Sequence, residues 1–186
     1  MRNLLLPLAF FLAACPDQVG QQCPPSTSPV GQFTLSFAAR RVPGECTVAT
    51  DGGHLTQDNK PSQGATLCVG TGSDGGPELN LLLAGQPGVN KSGLQADGGF
   101  HFQTDPVAAT GNGCACDAID TETLDGFLLT GSADAGFALQ PDGGLPLVNA
   151  LSATLVDHLV ANPAPLQTCL CDFPCTVNYL ISGNRF

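Results

Sequence analysis

Gln32-Phe33-Thr34-Leu35-Ser36-Phe37-Ala38-Ala39 puts Phe33, Leu35, Phe37 and Ala39 on one side of an extended chain and Thr34, Ser36 and Ala38 on the other. A period of two is the mark of a half-buried β-strand. Downstream, Pro43-Gly44 makes a turn into Cys46-Thr47-Val48. Further strand candidates are Ala65–Val69, Glu78–Leu83, Gly99–Gln103, Phe127–Leu129 and Phe137–Leu139. Asp134-Ala135-Gly136 is suited to close a hairpin between the last two. With 23 glycines and 15 prolines in 186 residues there is little room for long helices.

Residues 147–160 read two ways. Leu147, Leu151, Leu155 and Leu159 recur at helical spacing, yet Leu151, Ala153 and Leu155 also alternate with Ser152, Thr154 and Val156. Periodicity alone does not arbitrate. The β-branched content and a weak internal repeat favour strand. Cys114-Ala115-Cys116-Asp117 recurs as Cys169-Leu170-Cys171-Asp172. Each copy is followed by an alternating segment, 119–124 or 176–181, that ends near Gly126 or Gly183. The two copies span about 99–126 and 151–183, and matching them sets 151–160 against the strand-like Phe100-His101-Phe102. Asp-Gly-Gly at Asp51, Asp74, Asp97 and Asp142 supplies tight turns. The expected fold is all-β, an antiparallel sandwich of short strands stapled by disulfides.

The chain divides into three parts. Residues 1–14 carry one positive charge, Arg2, and an apolar run from Leu4 to Ala14. That run has the length of a signal-peptide apolar region and is shorter than the roughly 20 residues of a spanning helix. Residues 15–31 hold a Pro/Gln/Ser-rich tether, and residues 32–186 a β-rich domain. Cys23 within the tether suggests a staple to that domain.

There are nine cysteines, an odd number. Setting Cys15 aside leaves Cys23, Cys46, Cys68, Cys114, Cys116, Cys169, Cys171 and Cys175. In an exported chain these are expected to form four disulfides, with the pairing left open. The Cys-x-Cys segments are also conceivable zinc ligands, but export and the tight spacing favour disulfides. No metal and no cofactor is expected.

Removal of Arg2 with the leader leaves five basic residues against sixteen acidic ones, a formal charge of −11. With no basic cluster to neutralise phosphates, nucleic acid is not an expected partner. Attraction to anionic lipid is excluded on the same ground, so any membrane attachment falls to an acyl chain.

Motifs for catalysis are weak. Gly70-Thr71-Gly72-Ser73-Asp74-Gly75 fits a dinucleotide-binding glycine pattern, but Gly76-Pro77 and a strand-like run follow where a helix is required. Ser73 lacks the first glycine of a nucleophile elbow. His54, His101 and His158 stand apart in sequence, and Asp157 and His158, as strand neighbours, point to opposite faces. Each Asp-Gly-Gly loop offers calcium a single carboxylate. The expectation is that the protein is not an enzyme.

Leu12-Ala13-Ala14-Cys15 resembles the lipobox of bacterial lipoproteins. The resemblance implies cleavage before Cys15 and attachment of acyl chains, palmitate among them, to that residue. Pro16 follows it and Asp17 comes second; where aspartate directly after the cysteine retains lipoproteins in the inner membrane, this pattern implies the outer membrane. As a whole the chain resembles uncharacterised cysteine-rich lipoproteins of large-genome soil bacteria, on the lipobox, the Cys-x-Cys-Asp repeat and the closing segment Cys175–Gly183. That implies a cell-envelope location without a particular activity. The expected role is structural or protein-interacting, with an envelope protein as partner. The alternatives are a small-ligand or calcium-binding lipoprotein and, less favoured, an extracytoplasmic hydrolase.

Overall fold

A computed structural model describes residues 21–48, 52–86, 90–109, 114, 116–131, 145–162 and 169–186. The strands are β1 (Ser28–Ala39), β2 (Gln63–Thr71), β3 (Pro77–Leu83), β4 (Asn90–Gly93), β5 (Gly99–Gln103), β6 (Val107–Ala109), β7 (Ala118–Thr130), β8 (Val148–Ala161) and β9 (Cys175–Arg185). They form one sheet in the order β4-β3-β2-β1-β9-β8-β7-β5, with β6 added beside β7. Every pairing of named strands is antiparallel.

The sheet curls until its ends meet. Leu94 bridges Phe100, and the His101 amide donates to Ser92 Oγ at 2.8 Å. Closure satisfies edge groups that an open sheet leaves bare. The expected class, all-β and antiparallel with disulfide staples, is what forms. Its facing layers are opposite walls of a single, nearly closed sheet.

Side-chain alternation sorts the residues into an interior and an outer face. Phe33 and Leu35 of β1, Leu67 of β2, Leu79 of β3, Phe100 of β5 and Ile181 of β9 share one buried cluster. Each such side chain contributes roughly 1.5–3 kcal/mol of burial. Residues 147–160 resolve as strand: β8 pairs on both sides, with β7 from Val148 to Ala161 and with β9 from Ala150 to Leu159. Two flanking ladders satisfy its backbone along nearly its whole length.

The segments read separately as 119–124 and 127–129 are one strand, β7, running straight through Gly126. A Cβ on Gly126 would meet Phe100 Cζ and Ala153 Cβ, each at 2.6 Å. Glycine here admits the Phe100 ring against the backbone. Gly183 does the same inside β9, where an added Cβ would lie 2.6 Å from Leu151 Cγ. β4 and β6 escaped the sequence reading because Asn90-Lys91-Ser92-Gly93 and Val107-Ala108-Ala109 are too short to show a period. Phe137–Leu139 and the Asp134-Ala135-Gly136 turn lie outside the described residues.

Four disulfides staple the sheet: Cys23–Cys68, Cys46–Cys175, Cys114–Cys171 and Cys116–Cys169. The last two join the Cys-x-Cys copies to each other, in antiparallel order. The Leu170 amide donates to the Cys114 carbonyl at 2.7 Å between them.

Candidate functional site

Among the described residues, two of the concave surfaces gather titratable side chains of interest. The first is a groove of about 630 Å³ on the outer face of β5, β7, β8 and β9. Cross-strand register builds it. His101, Asp125, Thr154 and Leu180 form one outer row, and Phe127, Ser152 and Ser182 the next. Phe127 is 52% exposed and Leu180 48% exposed, while small serines make the floor between them. Phe127 and Leu180 are two of six large apolar side chains exposed among the described residues, and these two line one groove.

At the rim of the groove His101 Nδ1 pairs with Asp125 Oδ1 at 2.5 Å. The hydrogen bond to Asp125 is the main cause that lifts the imidazole above its ordinary value, against a smaller opposing effect of burial. A histidine oriented by a carboxylate is two-thirds of a hydrolytic triad. Ser152 shares the groove, but it faces Phe127 across the ladder whereas His101 faces Asp125. Among the described residues no serine hydroxyl is hydrogen-bonded to the His101 ring; the Ser92 hydroxyl takes only its backbone amide.

The second place lies inside the sheet, at the end where β7 begins. Asp120 and Glu122 of β7 and Asp157 of β8 point inward beside Leu159, Val177 and Tyr179. Asp120 and Asp157 line a pocket of about 370 Å³ whose roof is Leu55, Gln57, Lys60 and Pro61. Lys60 Nζ sits 4.8 Å from the centroid of the Phe37 ring and 4.7 Å from that of Tyr179. The Gln57 amide donates to the Tyr179 hydroxyl at 2.9 Å, tying the roof down. Arg41, itself paired with Glu45, holds the same loop through the Thr56 carbonyl and Asp58.

Burial, then repulsion from Glu122 and Asp120, pushes the Asp157 carboxyl up to about 7, with Lys60 acting the other way. Burial also raises Asp120 and Glu122. Asp120 Oδ1 and Asp157 Oδ1 are enclosed and accept no hydrogen bond from the described residues. This trio was not singled out from sequence. Within 119–124 Ile119 and Leu124 fall on opposite sides, so the local pattern does not choose; Leu124, Gly126 and Leu128 fix the inward register and carry Asp120 and Glu122 in with them.

The residues weighed in the sequence fall as follows. Cys15, Asp51 and Asp142 lie outside the described residues. Asp74 and Asp97 close their own turns, accepting the amides of Gly76 at 3.1 Å and Gly99 at 3.0 Å. The glycines behind them, Gly75 and Gly98, have φ of 82° and 85°, as such turns require. Gly70-Thr71-Gly72 leads through this turn into β3 rather than a helix. His54 lies 3.4 Å from Glu45, and His158 is exposed on the outer face of β8. Among the described residues no group of three His, Cys, Asp or Glu side chains is placed to hold a metal ion.

No family model matches the chain, and no curated protein and no solved structure matches it either.

Proposed function

We propose that the protein is an envelope lipoprotein, anchored through acyl chains on Cys15, that binds another protein with the outer face of β7, β8 and β9. The groove bearing exposed Phe127 and Leu180 carries this reading. Apolar side chains over a floor of small residues are what a partner can desolvate at little cost. The cysteine arithmetic supports the anchor: the eight residues from Cys23 to Cys175 pair off completely and leave Cys15 over. Four disulfides also suit an oxidising compartment. Pro16 directly after Cys15, with aspartate only second, agrees with outer-membrane placement, and the net negative charge with a role other than nucleic-acid binding.

The test is palmitate labelling of cells making the full chain, together with photo-crosslinking from position 127. We expect label on the wild type and none on Cys15→Ala. A crosslinker at 127 should give a discrete adduct that Leu180→Glu removes, with thermal stability unchanged. A wild-type chain that takes no label and stays soluble overturns the anchor. Crosslinking indifferent to Leu180→Glu overturns the groove.

A second reading draws on the inner pocket. Asp120, Asp157, Lys60 and Tyr179 converge on one cavity, as in a small-ligand site. Calcium titration followed by thermal denaturation discriminates it: a melting temperature that climbs with calcium favours this reading, and an unchanged one favours the groove.

A further inference from the structure

The disulfide Cys23–Cys68 decides which side of the molecule the anchored chain leaves from. Cys68 lies on the outer face of β2, and residues 21–27 cover it, leaving it fully buried. The covering segment has a direction. Gln21 Nε2 donates to the carbonyls of Leu83 and Gln86, at the far end of β3. Thr27, by contrast, packs against Gly70, near the end of β2 that leads into the Asp74 turn. Between them the chain reverses: the amide and hydroxyl of Thr27 both donate to the Pro24 carbonyl, and Ser26 takes a φ of 69°. The segment thus runs the length of β2 and β3 and then turns back into β1.

Two consequences follow from chain length. With the staple, five residues lie between Cys15 and the fixed Gln21, six Cα–Cα steps with a reach of at most ~20 Å. Without it, the free span runs thirteen residues to Ser28 at the opposite end of the sheet, a reach of ~45 Å. In the sheet order, β3 and β8 are four strands apart whichever way the ring is counted. The exit of the tether and the groove centred on β8 therefore occupy opposite walls.

We propose that the Cys23–Cys68 staple is an orienting device: it presents the β3–β4 turn at Ala84–Gln86 to the lipid surface and turns the Phe127–Leu180 groove away from it. This rests on acylation of Cys15. Stapled short, the tether cannot carry the chain round to the β8 wall. A partner then meets the groove from the aqueous side, and the bilayer does not cover it.

The chain contains no tryptophan, so single-tryptophan variants report position directly. Lipidated full-length Gln86→Trp, Ser73→Trp and Phe127→Trp proteins are reconstituted in phosphatidylcholine vesicles carrying nitroxide-labelled headgroups. All three sites are exposed. We expect Gln86→Trp to be quenched several-fold more than Ser73→Trp or Phe127→Trp. Adding Cys23→Ser with Cys68→Ser should erase that difference while the other three disulfides keep the sheet closed. Equal quenching at the three positions in protein that floats with the vesicles overturns the orientation alone. Stronger quenching at 127 than at 86 does the same. Protein that does not float overturns the anchor and the orientation together.

Discussion

Asp157 shows what the interior does to a charge. Its unfolded-state carboxyl titrates near the ordinary 3.8, and its folded-state carboxyl near 7. The folded protein therefore binds this proton more tightly. The stability gained from it is complete below about pH 4 and is lost as pH rises through 7. At ~1.4 kcal/mol for each unit, ionising this group in place costs on the order of 4 kcal/mol. Asp157→Asn removes the cost. Urea unfolding should find the variant more stable than wild type at pH 8 by a few kcal/mol, with the gap closing towards pH 4. A variant no better off at pH 8 would mean that water reaches the carboxylate. Gly126 makes the reverse case, of a residue with no room for change. Because its missing Cβ is replaced by the Phe100 ring, Gly126→Val must displace Phe100 or the backbone of β8. Overpacking of that kind costs roughly 1–3 kcal/mol or more, and thermal melting should show it.

At the scale of elements, the paired Cys-x-Cys segments act as one staple with two rungs. Cys114–Cys171 and Cys116–Cys169 close loops of nearly the same size, separated by 57 and 53 residues. The entropy removed from the unfolded chain by the first rung is therefore mostly gone before the second forms. Removing either rung by serine substitution should cost little, and removing both ~2–4 kcal/mol. The cycle of single and paired variants, followed by denaturant unfolding, should be strongly non-additive. Partial reduction with peptide sequencing should show Cys114 joined to Cys171 and Cys116 to Cys169. Alternation in the sequence located β1, β2, β3 and β5 because each has one apolar and one polar side. It found 119–124 to alternate without assigning the buried side, which Leu124 and Leu128 set through the register of β7.

Across the whole molecule, stability follows the number of ladders a strand belongs to. β8 and β9 are paired on both sides over most of their lengths, while β6 joins β7 through three residue pairs. Native-state hydrogen exchange should be slowest in β8 and β9 and fastest in β6. A uniform rate would mean that the sheet opens only as a unit. By itself the sequence determined that the chain is β-rich, that its turns fall at Asp74 and Asp97, and that cysteines other than Cys15 come in a number that can pair. These follow from local chemistry: a period of two, glycines tolerant of positive φ, and parity. Only the tertiary structure decided the disulfide partners, the curling of one sheet on itself, the inward placing of Asp120, Glu122 and Asp157, and the gathering of Phe127 and Leu180 into one groove. Those depend on register between segments as far apart as Phe33 and Arg185, which no local pattern encodes.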